Sequence, residues 1–141
     1  MSRVVIDLPE EFPFSTDIEI LVSHINRGDH LANEAIIAFA NEAWVRYLRN
    51  LGIDDFVILG SQTINADLAV SLHSEGLYGE IARIDVVPAN FHKYGCDFLF
   101  RICDKTSGRL IAKAKMGLLT YDYSEKKLQL APEGFAKALM P

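Results

Sequence analysis

The stretch SHINRGDHLANEA, Ser23 to Ala35, gathers two histidines, two asparagines, an arginine, an aspartate and a glutamate into thirteen residues of a chain that is 50% apolar. The carboxamides of Asn26 and Asn33 can donate to a carbonyl oxygen or hold a water, the imidazoles of His24 and His30 can carry a proton, and the carboxylate of Asp29 can accept one. Gly28 lets the backbone approach a ligand closely. The stretch stands directly before the most helix-like segment of the chain, where orphan N–H groups and the positive end of a helix dipole favour negative charge. Plainer roles compete with each of these. Asn26 and Gly28 are ordinary turn residues, Asp29 or Asn33 can cap the helix, and a histidine at a strand end, such as His24, is commonly a packed one. Two further carboxylates belong with the group. Glu42 is the lone acid at the middle of the helical segment, in surroundings where a carboxylate can act as a general base, although Arg46 four residues on makes it equally an ion-pair partner. Asp67 lies in an alternating strand segment.

The elements that must position these residues follow from hydrophobic period. Asp17 to His24 is short and rich in branched aliphatics and reads as a first strand. Glu34 to Leu51 holds no Gly or Pro, and Ile36, Ala40, Ala43, Tyr47 and Leu51 recur at helical spacing beside Ile37, Trp44 and Leu48, so the segment predicts a long helix ended by Gly52. Its first half is apolar nearly all round, and Glu42, Arg46 and Arg49 form its one continuous charged stripe, so most of its circumference requires burial. Ile64 to His73 alternates strictly, with Ile64, Ala66, Leu68, Val70 and Leu72 on an expected dry face. Glu80 to Val87 reads as a strand ended at Pro88, Cys96 to Cys103 as another, and the turn Asp104 to Gly108 leads into a long strand from Leu110 to Tyr123. These last three form a meander. Pro132 to Leu139 predicts a short terminal helix started by its proline. A strand, a long helix and four strands on short turns make an α+β domain with an antiparallel sheet, one domain over residues 1–141.

Composition and motifs exclude several classes. A net charge of −5 with no Lys/Arg run interleaved with aromatics argues against nucleic acid. No apolar run approaches a membrane span, and Asp7 interrupts the N-terminus before a signal-like apolar region forms, so a cytoplasmic protein without membrane association is expected. Cys96 and Cys103, the two cysteines, lie seven apart in one strand segment, on opposite faces, which suits reduced thiols. His24, Asp29 and His30 lack the spacing of a metal site, so no metal is expected. Neither a Gly-x-Ser-x-Gly elbow nor a Gly-rich phosphate or dinucleotide loop occurs, and no cofactor is expected. Ile64 to His73, if it lies at a sheet edge, is a long regular ladder with no Pro, no Lys and a single acid, a strand suited to pairing with its symmetry mate in a homodimer or homotetramer.

At this level of organisation the sequence resembles the hotdog-fold acyl-CoA thioesterases of the 4-hydroxybenzoyl-CoA thioesterase type, in which a long central helix is wrapped by a five-stranded antiparallel sheet. His30-Leu31-Ala32-Asn33 stands where such proteins commonly have His-Val-Asn-Asn, and Glu42-Ala43 where their helix carries Glu-Ala. Tyr78-Gly79-Glu80 is similar to their Gly-Asp turn, and Lys93-Tyr94-Gly95 to the Gly-containing entry of a later strand. The likeness runs over roughly residues 17 to 123. Asp29 takes the place of the family's glycine before the histidine, with Gly28 one residue early, and Asn26 takes the place of an aspartate that many members use as nucleophile or base.

The resemblance implies hydrolysis of an acyl-CoA or related thioester to free acid and CoA. Thioester hydrolysis needs donors at the carbonyl oxygen and a carboxylate to activate water. On that reading Asn26 supplies a donor, His30 and Asn33 hold the loop or touch substrate, Gly28 gives close approach, and the base is Glu42, then Asp29, then Asp67 reaching a partner's site. Two alternatives share the fold: a non-catalytic module binding acyl-CoA or an acyl carrier, and a hydratase or dehydratase. The Asp-x-x-x-x-His spacing of the latter has no match at Asp17 or Asp29.

Overall fold

The computed structural model describes residues 3–141. In chain order its elements are β1 (Phe14–Glu19), α1 (Asn33–Asn50), β2 (Val57–Ile58), β3 (Ser61–Leu72), β4 (Ile81–His92), β5 (Gly95–Asp104), β6 (Leu110–Asp122), β7 (Lys127–Leu128) and α2 (Phe135–Leu139). The sheet is antiparallel and strongly curled, ordered β1-β4-β5-β6-β3-β2, with β7 on β6. Five strands are long, as expected, and the two-residue β2 and β7 extend the sheet beyond the five-stranded form.

The curl follows from α1. Ala35, Ile36, Phe39, Ala40, Ala43, Trp44, Tyr47 and Leu48 are all buried, a face too broad for a flat sheet to cover. Inward residues meet it from three strands: Ala82, Ile84 and Val86 of β4, Phe98, Phe100 and Ile102 of β5, and Ala112, Ala114, Met116 and Leu118 of β6. Phe98, Phe100, Ile84 and Ile102 are completely enclosed, worth about 2 kcal/mol each. Cys96 joins this core while Cys103 lies on the outer side, both as free thiols.

Several element boundaries move for identifiable reasons. The first strand is Phe14–Glu19 rather than Asp17 to His24, because β4 begins at Ile81, opposite Glu19, and offers no ladder farther on. Val22–His24 closes instead into a single 3₁₀ turn. β4 continues through Pro88, which pairs with Phe98 of β5, while β1 ends opposite Val86 and so never calls for the missing Pro88 N–H. The terminal helix is confined to Phe135–Leu139. In β3 the strict alternation fails at a bulge: Asn65 lies opposite Leu118 and Asp67 opposite Gly117, leaving Ala66 unpaired. The bulge moves Ile64 to the outer face, opposite Leu119, and sets Leu68, Val70 and Leu72 opposite Met116, Ala114 and Ala112 on the inner one. That inner face is not dry, since Leu68 and Leu72 remain 43% and 50% exposed.

β3 is bonded to β6 along its length, yet on its other side β2 covers only Ser61 and Gln62, so Thr63 to Leu72 present an open edge among the described residues. The outer face of the sheet is closed differently. Ile6, Leu8 and Phe12 of the N-terminal segment pack on Val87, Leu99, Ala69 and Ala89. Beneath them the buried Asp85 accepts from Arg83 Nε at 3.1 Å and Arg101 Nε at 2.8 Å, with the Arg101 guanidinium 4.6 Å from the Phe12 ring centre.

The β5–β6 turn is fastened by Asp104, whose carboxylate accepts from the Ser107 hydroxyl at 2.6 Å and the Ser107 N–H at 3.0 Å. Those bonds hold its carboxyl below the usual aspartate range. A lowered folded-state pKa stabilises above the unfolded value, about 3.9, and the contribution disappears as pH falls through the folded one. Ser107→Ala is therefore expected to lower the melting temperature at pH 7, with variant and wild type converging in acid below the usual aspartate range, as read by thermal melts across pH.

Candidate active site

The polar loop before α1 is organised by Asn26. Its N–H donates to the His30 carbonyl at 3.0 Å, its carbonyl accepts from Asp29 N–H at 3.1 Å, and its side-chain Oδ1 accepts from Gly28 N–H at 2.9 Å and, at the limit of 3.5 Å, from His30 N–H. The acceptor end of the carboxamide is thus consumed by the loop, and the NH₂ end bonds no described residue. Asp29 takes the left-handed conformation, φ 61°, which aspartate tolerates better than most side chains and which a glycine would adopt freely. Gly28 makes room for the loop's own side chains. A Cβ there would lie 3.0 Å from His30 Nε2 and 3.3 Å from Asn26 Oδ1, a tight fit that a small shift of the imidazole relieves.

His24 is structural: its Nδ1 accepts from Leu21 N–H at 2.9 Å and its ring meets Phe39 edge-on at 4.8 Å. Asn33 does not cap α1. It is the first helical residue, Ala32 is the N-cap, and no described side chain bonds the helix terminus. Ala35 N–H donates to the Ala32 carbonyl at 3.1 Å, and the N–H groups of Asn33 and Glu34 have no partner among the described residues, in the position that favours an anion or a developing oxyanion.

That terminus opens into a pocket of about 240 Å³, walled on one side by His30, Asn33 and Ile36 and on the other by Leu72, Glu75 and Gly76 from the end of β3 and the loop after it. Leu31 N–H donates to the Gly76 carbonyl at 2.7 Å, joining the two walls. A second pocket of about 250 Å³ lies farther along α1, between Ile37 and Asn41 on the helix and Asn65, Asp67, Leu68 and Met116 on the sheet. Both lie between α1 and the open strand β3, one toward each end of the inner residues Leu68 to Leu72. Asp67 reaches the rim of the second with the carboxylate turned over Gly117, where a Cβ would sit 2.3 Å from Oδ1.

Glu42 is not brought to either pocket. It lies on the solvated stripe of α1, its side chain 52% exposed, bonded to Arg46 Nε at 2.8 Å. Arg46 in turn holds Thr16 Oγ1 at 2.7 Å and the Asp17 carbonyl at 3.0 Å. The apolar enclosure expected around Glu42 is absent because α1 turns that side of itself away from the sheet. Asp29 is exposed in the loop and lines neither pocket. Glu75, which sequence reasoning passed over inside the turn SEGLYG, is an exposed acid on the pocket wall opposite the start of α1, and its main-chain carbonyl is held by Arg109. His73 also belongs to that wall, but its Nε2 pairs with Ser71 Oγ at 2.9 Å, and Ser71 faces Lys113 on the outer side of the sheet. Among the described residues no three His, Cys, Asp or Glu side chains converge as a metal site requires.

The chain matches the Thioesterase-like superfamily model over residues 20–139, and it belongs to that superfamily, a class of thioester hydrolases. Its domain is the hotdog fold of solved thioesterase structures. It superposes on a 1,4-dihydroxy-2-naphthoyl-CoA thioesterase from Synechocystis with TM-score 0.80 at 12% identity, covering 89% of this chain and 94% of that one. A probable thioesterase from Escherichia coli, YbaW, gives 0.76 at 15% identity, over 89% and 95%. A 12:0-ACP thioesterase from Umbellularia californica gives 0.82 at 14% identity, over 91% of this chain and 54% of that longer one. No curated protein matches it by sequence.

Neither thiol competes as a nucleophile. Burial, with the Asp97 carboxylate nearby, pushes the Cys96 thiol up to about 12, and burial raises Cys103 as well. A thiol reagent added to native protein at neutral pH is expected to leave Cys96 unmodified, with both cysteines reacting in denaturant. Rapid labelling of Cys96 in the native state, read by peptide mass, contradicts this enclosure.

Proposed function

We propose that the pocket at the start of α1 hydrolyses an acyl-CoA or related thioester to a free acid and a thiol. The observation that carries this reading is a helix terminus without a side-chain cap and an acid, Glu75, on the opposite wall of one pocket lined also by Leu31, Ile36 and Leu72. The thioester oxygen sits at the N–H groups of Asn33 and Glu34, and the exposed Asn26, which lines neither pocket in the single chain, swings its free NH₂ in as a further donor. Water attacks the carbonyl carbon and gives a proton to Glu75, the C–S bond breaks, and the thiolate leaves to be protonated. The acyl chain runs between α1 and β3 past Ile36, Ile37 and Leu68 toward Asn41, Asn65 and Asp67. Asn33 and His30 shape the pocket mouth, and Gly28 keeps the His30 ring folded down.

The space between α1 and β3 is open on one side in a single chain. The unpaired edge of β3, beside the exposed Leu68 and Leu72, supports closure by a second copy in a homodimer. The N-terminal segment already occupies the outer face, which speaks against building a tetramer by stacking sheets through it. Sedimentation at micromolar protein is expected to give a dimer, and Ala69→Pro, which inserts strain into the open edge, to lose dimer and activity together. A stable, active monomer refutes the shared site.

Glu75→Gln is expected to cut turnover on the best acyl-CoA by about two to four decades with little change in binding, while Glu42→Gln stays within about threefold. The opposite pattern returns the role of base to Glu42, and loss in neither passes it to Asp29 or Asp67. Asn26 also supports a second reading, a non-catalytic module that binds acyl-CoA or an acyl carrier, because an amide replaces the carboxylate of many relatives. Asn26→Asp keeps the loop's acceptor and exchanges the free NH₂ for a carboxylate oxygen. Lower activity than wild type supports the donor role proposed here. Activity appearing only in the aspartate variant, with thermal-shift binding of acyl-CoA in both, supports the binding module.

A further inference from the structure

Arg109 reaches across from the β5–β6 turn to the loop that follows β3. Its Nε donates to Ser74 Oγ at 3.1 Å, Nη1 to Glu80 Oε2 at 3.1 Å, and Nη2 to Glu80 Oε1 at 2.7 Å and the Glu75 carbonyl at 2.8 Å. Glu80 Oε1 also accepts from Leu77 N–H at 2.8 Å, and Ser74 Oγ donates to the Leu110 carbonyl at 2.6 Å. One guanidinium thereby fixes both ends and the middle of residues 74–80. It does so with its fork fully used, whereas Arg83 and Arg101 each make a single bond, through Nε.

The loop held this way is the far wall of the pocket. Gly76 accepts from Leu31 N–H, and a Cβ on Gly76 would lie 3.0 Å from Leu31 Cβ and 3.1 Å from Ile20 Cδ1, so the loop and the segment leading into α1 are in direct contact. Arg109 itself does not line the pocket. Resting on the reading of that pocket as the hydrolytic site, we infer that Arg109 is a positioning residue: through Glu75 and Gly76 it sets the distance between the carboxylate and the start of α1.

An isolated exposed ion pair adds little to stability, but this one is bidentate and networked, with side chains 37% and 20% exposed, the case in which a pair does contribute. A bidentate fork that also holds a main-chain carbonyl fixes geometry as well. Displacing a reacting group by about 1 Å costs on the order of a hundredfold in rate.

The test uses Arg109→Gln and Arg109→Lys in the full chain, with steady-state kinetics and amide exchange measured together. Arg109→Gln is expected to lower kcat by about ten- to a hundredfold with KM nearly unchanged. Arg109→Lys recovers part of the loss, and millimolar guanidinium restores part of the Gln variant's rate. Protection of the Leu31 amide is expected to fall at least about tenfold, while that of Ala43 inside α1 is unchanged. Glu80→Gln, which keeps the shape of the pair, moves both readouts in the same direction and serves if the Arg109 variants do not fold. Unchanged kcat and Leu31 protection overturn the inference, as does a loss shared equally by Leu31 and Ala43. Wild-type protein inactive on every acyl-CoA overturns the hydrolytic reading instead, and Leu31 exchange still decides whether the brace exists.

Discussion

A single helix with an apolar face wider than a flat sheet can cover forces the sheet to bend around it, and nearly every other feature of this domain follows from that constraint. Ala35 through Leu48 supply the face, and β4, β5 and β6 supply alternating inward residues in register across three strands. A curled sheet has an inner surface saturated by the helix, an outer surface that needs other cover, and two edges. The outer surface is met by Ile6, Leu8 and Phe12. One edge is the short β1, whose Asp17 carbonyl is held by Arg46 of α1, and the other is β3 with little more than β2 beside it.

That remaining edge is where the pockets lie. The helix covers β4, β5 and β6 but leaves the inner residues Leu68 and Leu72 of β3 exposed, and two cavities lie between α1 and β3, one of them at the helix terminus. At the terminus the sequence places a loop that satisfies itself. Asn26 spends its backbone and half its carboxamide on internal bonds, and so it holds the turn without blocking the N–H groups of α1. The concentration of polar residues ahead of an apolar helix thus builds a tight loop that leaves the helix terminus without a side-chain cap.

Charged groups are divided between the two sides of the sheet. On the outer face Asp85 is buried and needs Arg83 and Arg101 to offset its desolvation, a pairing whose loss leaves an uncompensated charge. Elsewhere polar pairs hold local structure: Arg109 braces the loop after β3 through Glu80, Arg46 of α1 joins Glu42 to Thr16 of β1, and the buried Asp104 fastens the β5–β6 turn through Ser107.

Periodicity alone determined the long helix, to within a residue at each end, and the β4–β5–β6 meander, because helical and strand periods depend on which local positions need burial and not on what buries them. It also marked the polar stretch from Ser23 to Ala35 as the place to look. The register of β3 was decided only in the folded chain: the bulge at Ala66 exists because Asp67 lies over Gly117 on a neighbouring strand, and no local pattern records a partner about fifty residues away. The same holds for Glu42 and Glu75. Both are single acids in unremarkable local sequence, and their difference lies in which way the sheet turns the helix and which loop it sets against the helix terminus. Sequence names the groups capable of chemistry, whereas their distance and enclosure are properties of packing between segments far apart in the chain.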